Sequence, residues 1–200
     1  MNEKPIAAGK SSFDLVDPEK VFAELRLQPE TVFLDVACGV GNYSVAAAEF
    51  IGTGGAIHAV DLWDEGIAAL RERIDQLALP QIHAEVGDVS RSLPVEDDSV
   101  DVVLMATVLH DLVADGTAEG TLREIVRVLK PQGRLVIIEF DKVESEPGPP
   151  AAIRLSPGEV EDIVAPYGFF EEHIKAVGPT TYLISFKAAG GFRGRSQVVE

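Results

Sequence analysis

Four groups of residues in this sequence have side chains or backbone suited to chemistry, and each group follows a short apolar run. These residues are Gly39 and Gly41, Asp61, Asp88, and His110 with Asp111. Glycine lets the backbone approach a ligand closely because it has no Cβ atom. Carboxylates accept hydrogen bonds from hydroxyl and amino groups, and histidine exchanges a proton near neutral pH. The set is therefore suited to hold a polar cofactor beside a site of proton transfer.

Apolar periodicity predicts the elements that must position these residues. Five nearly continuous apolar runs are typical of strands buried on both faces of a parallel sheet. The runs are residues 32–37, 56–60, 82–86, 99–105 and 134–140. Helical stretches separate most of them, and residues 169–177 and 181–186 predict a hairpin. The pattern predicts an α/β fold: a Rossmann-like, mostly parallel sheet with helices on both faces and a C-terminal antiparallel hairpin.

The place of the four groups in this pattern suggests a common site. Ligands of an open parallel sheet bind outside the carboxyl ends of the strands, where the strand order reverses. The glycine pair, Asp61, Asp88 and residues 106–111 each follow a predicted strand. We therefore expect these four pieces of the chain to converge on one edge of the sheet.

Length and composition predict the domain organisation. The chain has 200 residues, 46% of them hydrophobic, which favours one domain over residues 1–188 with residues 189–200 as a flexible tail. Residues 1–16 are expected to form a flap, and the proline-rich residues 144–155 a loop over the site. Arg154 is expected to be a solvated residue of that loop, with contact to an acidic group of a ligand as the alternative.

Charge and cysteine content limit the partners and the location. The formal net charge of −16 disfavours nucleic acid, because affinity for phosphate backbones comes largely from clustered lysine and arginine. Cys38 is the single cysteine, which fits a cytoplasmic location. No apolar run approaches the roughly 18 residues of a membrane span. The histidine and cysteine spacing predicts no metal site, and no oligomeric state is predicted.

Five motifs, taken in order and spacing, resemble those of class I S-adenosylmethionine-dependent methyltransferases. They are Asp35-Val-Ala-Cys-Gly-Val-Gly, Ala59-Val-Asp, Gly87-Asp-Val, Asp101-Val-Val-Leu-Met-Ala and Leu129-Lys-Pro-Gln-Gly. The closer similarity is to the small-molecule branch that includes the ubiquinone/menaquinone C-methyltransferases. Leu109-His110-Asp111 resembles that branch's segment after the fourth strand, although many members carry two adjacent histidines there. The resemblance covers about residues 32–186 and implies a seven-stranded sheet with a reversed last strand.

The resemblance implies S-adenosyl-L-methionine as the cofactor, and the residue types fit it. Gly39 and Gly41 would let the loop pass under the amino-acid and ribose parts. Asp61 would accept both ribose hydroxyls. Asp88 would accept from the adenine amine, and the Val89 backbone N–H would donate to a ring nitrogen. The alternatives are that the glycines only form a turn and that Asp88 only caps a loop.

Further cofactor contacts are expected around these positions. Leu62 or Trp63 would pack on the adenine face, with Trp63 favoured for packing within the protein. In the family, the acid of the first motif and the backbone after the fourth strand face the methionine end, which carries over to Asp35 and Ala106. Asp35 could instead bond loop amides. Cys38 is expected to contribute backbone or a small buried side chain, because no base partner lies near it in sequence.

His110 and Asp111 are the candidate catalytic residues. Methyl transfer from a sulfonium is an in-line displacement with a neutral leaving group, so only the nucleophile can need a base. His110, with an ordinary pKa of about 6.5, is the natural base at this edge. The alternative is that His110 orders the loop or shapes the pocket. The predicted acceptor of the methyl group is a small molecule.

Two other functions are compatible with parts of the pattern. A nicotinamide-dependent dehydrogenase also places glycines after its first strand, but its fingerprint expects a third glycine where this chain has Ser44. A non-catalytic sensor or assembly protein could bind S-adenosylmethionine without turning it over, because cofactor motifs report binding only.

Overall fold

The computed structural model describes residue 9 and residues 11–189, and its strands form a seven-stranded sheet. The strands are β1 (Val32–Val36), β2 (Ala56–Asp61), β3 (Ile82–Val86), β4 (Val100–Ala106), β5 (Leu129–Phe140), β6 (Phe169–Gly178) and β7 (Thr181–Ala188). Their order across the sheet is β3-β2-β1-β4-β5-β7-β6. All pairs are parallel except those made by β7, which runs antiparallel to β5 and to β6. The predicted fold is confirmed, including the reversed last strand.

Helices cover both faces of this sheet. They are α1 (Pro18–Leu25), α2 (Asn42–Ala47), α3 (Asp64–Leu77), α4 (Leu109–Ala114), α5 (Ala118–Val128) and α6 (Pro157–Val164). Alternate residues of β1 point to opposite sides, so Phe33 packs in one apolar cluster and Leu34 in another. The first cluster includes side chains of α1, α2 and α3, and the second those of α4, α5 and α6. Burial on both faces explains the continuous apolar runs of the central strands.

Two helix starts follow from local sequence. Asp17 caps α1 by accepting a hydrogen bond from the Lys20 backbone N–H, with Pro18 in the first turn. Ser156 and Glu159 form a reciprocal capping box at the start of α6. Both caps use side chains within three residues of the groups they satisfy, so they could be predicted without the rest of the fold.

Two segments differ from their predictions. Strand β5 begins at Leu129 and not at 134, because Val100 pairs with Leu129 while Val102 pairs with Arg134. Residues 130–133, which precede the predicted run, therefore form a bulge within the strand pair. Residues 109–111, predicted as part of a loop, form the first turn of α4. Residues 1–8 and 10 of the predicted flap and residues 190–200 of the predicted tail lie outside the described residues.

Candidate functional site

The carboxyl ends of β1 and β4 mark the point where the strand order reverses. These neighbouring strands pair at Val36 and Met105, and the chain leaves them toward opposite sides of the sheet. Ala37 follows β1 with φ 57°, and Thr107 follows β4 with φ 54°. Side chains rarely adopt this left-handed region, and such strain concentrates at ligand sites. Of the five non-glycine residues with positive φ in the described part of the chain, Ala37 and Thr107 are the two that follow a strand, whereas Arg26, Ala78 and Asp98 precede strands. Positive φ therefore occurs at the predicted edge but does not by itself identify it.

The two glycines after β1 are required for different reasons. A Cβ atom added to Gly41 would lie 2.5 Å from the Leu70 methyl groups, so this glycine permits the loop to pack against α3. A Cβ atom added to Gly39 would meet nothing within 4 Å, so Gly39 faces open space. Both have positive φ, +58° at Gly39 and +71° at Gly41. The open space beside Gly39 is where the backbone can approach a cofactor without obstruction.

Asp61, the last residue of β2, braces this loop. Its Oδ2 accepts the Gly39 backbone N–H at 2.7 Å, and its Oδ1 accepts the Trp63 backbone N–H at 2.8 Å. Each carboxylate oxygen has a second lone pair, so both can still accept a hydroxyl of a ribose. The geometry fits the residue's predicted role and adds a structural one.

The residues after Asp61 separate into an exposed side chain and a packed one. The Leu62 side chain is 48% exposed at the predicted adenine side of the loop. The Trp63 ring lies against Gly66 of α3, where an added Cβ atom would come within 2.4 Å of it. Leu62 is therefore the one that a bound adenine could cover.

The loop after β3 holds Asp88 and Val89. The Asp88 Oδ1 accepts the Ser90 backbone N–H at 3.0 Å and the Ser90 hydroxyl at 2.6 Å, while Oδ2 lies 3.2 Å from the Arg91 Nε. Asp88 thus caps its own turn through Oδ1, which was the alternative to adenine binding, while Oδ2, beside the exposed Arg91 side chain, has a lone pair that could still accept a hydrogen bond from an adenine. Val89 buries its side chain in the core, which fixes the backbone of this loop.

Asp35 lies under the glycine loop and is 1% exposed. Its Oδ2 accepts the Ser44 hydroxyl at 2.6 Å, a partner that neither interpretation of the sequence named. Burial raises the pKa of Asp35 to about 7, partly offset by the Ser44 hydrogen bond and increased by the charge of Asp61. Burial likewise raises the pKa of the Cys38 thiol, which keeps it protonated and unsuited to act as a nucleophile.

His110 is 4% exposed and is held by a buried carboxylate, Glu139 of β5. The imidazole Nδ1 lies 2.7 Å from Glu139 Oε2, and the His110 backbone N–H donates to Oε1 at 3.1 Å. The other ring nitrogen, Nε2, lies 3.5 Å from Asp111 Oδ1. Burial lowers the pKa of His110, but the hydrogen bond and charge of Glu139 and the charge of Asp111 outweigh it, so the pKa is raised above 6.5.

Glu139 is the residue that the sequence analysis missed. It stands in the apolar run Leu135-Val-Ile-Ile-Glu-Phe140, one residue before the end of β5. Burying a carboxylate in such a run costs free energy unless the carboxylate is paired. A glutamate in a strand predicted to be buried is therefore the signal from which a paired, functional residue could have been predicted.

Arg154 does not lie in solvent as expected; it is 1% exposed. Its guanidinium donates to the carbonyls of Pro149 at 2.8 Å, Asp141 at 3.1 Å and Ser145 at 2.5 Å, and to the Ser145 hydroxyl at 2.8 Å. An irregular segment leaves carbonyl groups without strand or helix partners, and the planar fork of arginine satisfies several at once. The prediction of a solvated side chain was therefore wrong.

The remaining histidines lie elsewhere. His58 and His83 stand at paired positions of β2 and β3 with ring centroids 5.4 Å apart, and His173 bonds Glu24. Within residues 9 and 11–189, no group of three or more histidine, cysteine, aspartate or glutamate residues could hold a metal ion. None of the helices in this part of the chain has the length and apolar character needed to cross a membrane.

Comparison with known proteins identifies the family. A family model described as a methyltransferase domain matches residues 27–167, which include the glycine loop, Asp61, Asp88 and His110 with Glu139. The chain belongs to this methyltransferase family. The predicted family is thereby confirmed, and the match favours it over a nicotinamide-dependent dehydrogenase.

Individual relatives agree with this membership. The methyltransferase domain is 30% identical over 115 residues to demethylmenaquinone methyltransferase of Bacillus cytotoxicus, covering 58% of this chain and 47% of that protein. It is 31% identical over 113 residues to the ubiquinone/menaquinone biosynthesis C-methyltransferase of a Marinomonas species, covering 56% and 44%. The matched region thus spans about half the length of these curated relatives.

A solved structure extends the similarity to nearly the whole fold. A SAM-dependent methyltransferase from Aquifex aeolicus superposes with a TM-score of 0.81 at 29% identity, covering 90% of this chain and 94% of that one. The similarity therefore extends over more of the chain than the family model matches.

Proposed function

We propose that this protein transfers a methyl group from S-adenosylmethionine to a small-molecule acceptor, with His110 as the base. One observation carries the proposal: the His110–Glu139 pair lies at the same sheet edge as the glycine loop and Asp61. The comparisons support the enzyme class and its cofactor. The unpaired Cys38 supports a cytoplasmic location.

Different residues of this edge would bind different parts of the cofactor. Asp61 binds the ribose hydroxyls, and the open backbone at Gly39 admits the neighbouring part of the molecule. Asp88 and the Val89 backbone would contact the adenine, and the exposed Leu62 would pack on its face. Asp35 and the backbone at Ala106 contact the methionine end. When bound, S-adenosylmethionine supplies an electrophilic methyl group on a sulfonium.

The protein's own contribution to the chemistry is orientation and proton removal. Glu139 accepts the hydrogen bond from Nδ1–H of His110, which leaves Nε2 as the atom that can receive a proton. Asp111, 3.5 Å from Nε2, stabilises the imidazolium that forms. The proton thus passes from the acceptor to Nε2 as the nucleophilic lone pair attacks the methyl carbon, and neither Cys38 nor a metal ion is needed in this step.

The base defines the class of acceptor. A histidine with a pKa above 6.5 suits an acceptor that carries an ionisable hydroxyl group, whose loss of a proton makes an oxygen or an adjacent ring carbon nucleophilic. Hydroquinones have this chemistry, and the names of the curated relatives refer to quinone methylation. The net charge of −16 supports a small acceptor over a polyanion.

Two measurements test the proposal. Titration calorimetry should detect binding of S-adenosylmethionine and of S-adenosylhomocysteine, and no binding of NAD. A screen of hydroquinones, phenols, amines and thiols with the methyl-labelled cofactor should then find methyl transfer to a hydroxylated aromatic compound. The variant His110→Gln should lose this transfer and should still bind S-adenosylhomocysteine. Binding of NAD without a response to either sulfur compound would overturn the proposal.

A further inference from the structure

Arg154 combines complete burial with an absence of counter-charge. All four of its hydrogen bonds go to neutral acceptors in residues 141–149. Among the described residues, Arg154 forms no ion pair: the carboxylates of Glu139 and Glu159 pair with His110 and Lys142 instead. A buried guanidinium costs free energy unless its donors are satisfied and its charge is used. The four hydrogen bonds satisfy N–H donors of the guanidinium, but they do not explain why a positive charge is buried there.

The guanidinium is in contact with the ring that packs on His110. Its Cζ lies 5.3 Å from the centroid of the Phe140 ring, a cation–π geometry. The Phe140 ring in turn meets the His110 ring edge to face, with centroids 6.2 Å apart and an interplanar angle of 71°. Arg154, Phe140 and His110 therefore form one packed row.

Gly148 packs against both Arg154 and Phe140. A Cβ atom at this position would lie 2.8 Å from Arg154 Nη2 and 3.0 Å from Phe140 Cδ1. Its φ of +135° also lies in the region that favours glycine. The backbone of the segment is thus pressed directly onto the arginine and the aromatic ring.

We propose that Arg154 is a positioning residue for the reaction: its buried guanidinium fixes residues 141–149 and, through Phe140, holds His110 at the site. The inference rests on the proposed role of His110 as the base. Arg154 itself touches neither cofactor nor acceptor in this scheme.

The charges around His110 give Arg154 a second effect. Glu139 faces the imidazole from β5 and Asp111 from the same helix, and both favour its protonated form. Tyr182 of β7, which pairs with Glu139, stays protonated because burial and the charge of Glu139 raise its pKa. Arg154 opposes the two carboxylates and lowers the pKa of His110. Without it, the base would be protonated over a wider pH range.

The test follows the His110 Cε1–H resonance by NMR as a function of pH, with His110→Gln to assign it. Arg154→Met should move the midpoint upward, since a buried positive charge that lowers the pKa of His110 is lost. Arg134→Met is the matched control, because Arg134 also donates to two backbone carbonyls. It lies about 20 Å along β5 from Phe140, the residue that packs on His110. The control should leave the midpoint unchanged. An unchanged midpoint in folded Arg154→Met, or an equal shift in Arg134→Met, would overturn the proposal.

Gly148→Ala keeps the charge and disturbs the packing, so it decides the positioning role even where Arg154→Met does not fold. Amide hydrogen exchange of residues 141–153 should become at least tenfold faster, and kcat on an identified acceptor should fall with KM for the cofactor unchanged. Exchange and kcat equal to wild type would refute the positioning role. Retained methylation by His110→Gln would instead refute the proposed base, so the two failures are distinguishable.

Discussion

At the scale of single residues, a paired carboxylate decides what His110 can do. Glu139 is fully buried, accepts from both Nδ1 and the backbone N–H of His110, and raises the pKa of the imidazole. An exposed histidine at the same position would have neither a set ring orientation nor a set protonation range. The pair therefore supplies orientation and basicity together.

Glu139→Gln tests this pairing through the pH dependence of the rate. In the proposed reaction the neutral imidazole is the active base, so the wild-type rate should rise with pH through the raised pKa of His110. The amide keeps the shape but removes the charge, so the pKa falls and the rising limb moves to lower pH, while the maximal rate drops by about 10²-fold. Glu119→Gln, at an exposed position on α5, is the control. A pH–rate profile identical to wild type would contradict the role of Glu139.

Asp61→Ala tests the ribose contact. Loss of charge-assisted hydrogen bonds to both hydroxyls should cost about 2 kcal/mol, or about 30-fold in Kd for S-adenosylhomocysteine measured by calorimetry. Asp64→Ala removes a nearby carboxylate that accepts the Glu65 backbone N–H, and this variant should bind as wild type does. Unchanged affinity in folded Asp61→Ala would move the ribose site elsewhere.

At the scale of elements, the turn from β1 into α2 is held by close packing on α3. Gly41 lies against Leu70, and the Arg73 Nη1 donates to the Val40 carbonyl at 2.7 Å and to Asn42 Oδ1 at 2.9 Å. Contacts with α3 therefore support the loop that we propose to lie against the cofactor.

Gly41→Ala should destabilise the protein more than its φ alone explains. Gly116 has nearly the same φ, +70° against +71°, but a Cβ atom there meets nothing within 4 Å. Gly116→Ala should cost about 1 kcal/mol of unfolding free energy from backbone strain, and Gly41→Ala about 3 kcal/mol because Leu70 must also move. Urea unfolding measures both. Equal losses of unfolding free energy in the two variants would show that the Leu70 side chain can move aside without cost and that packing does not require Gly41.

Residues 11–13 lie on the first turn of α2. The Ser12 hydroxyl is 3.1 Å from the Tyr43 hydroxyl, Ser11 accepts from the Asn42 side chain, and Phe13 packs edge to face on Tyr43 at 5.0 Å. Because α2 starts at the glycine loop, this segment is placed to cover the site.

Deleting residues 1–12 should leave the fold intact and lower turnover more than cofactor affinity. Loss of the cover admits water to the reacting centre, while the cofactor contacts of the sheet edge remain. Circular dichroism, calorimetry with S-adenosylhomocysteine and the rate on an identified acceptor measure the three effects. Ser12→Ala separates the Tyr43 hydrogen bond from the rest of the segment. A truncated protein with full activity would show that the segment is no flap.

At the scale of the whole molecule, the excess of acidic residues sets which partners approach. A net charge of −16 repels polyanions over a Debye length of about 30 Å at low salt. We expect no binding of duplex DNA or transfer RNA in fluorescence anisotropy at 10 mM salt, where nonspecific binding is strongest. Saturable, salt-sensitive binding of either would argue against a small-molecule acceptor.

The order of strands and helices could be predicted because their signals are local. A strand buried on both faces needs a continuous apolar run, so the strand before Gly39 could be predicted from its composition. A helix cap needs its partner within a few residues, so the pair Ser156 and Glu159 could be predicted from its spacing. The family motifs have the same property. Each is a short piece whose types and order are informative before the pieces are brought together.

The partners of the buried polar groups were decided only by the tertiary structure. His110 and Glu139 are 29 residues apart, and Arg154 reaches the Asp141 carbonyl across 13. These contacts exist because β4 and β5 pair in the register that places Ala106 beside Ile138, and because the segment after β5 folds back on Phe140. Register and chain reversal depend on the packing of the entire sheet. The sequence shows which residues can do chemistry, whereas the assembled core decides which of them meet.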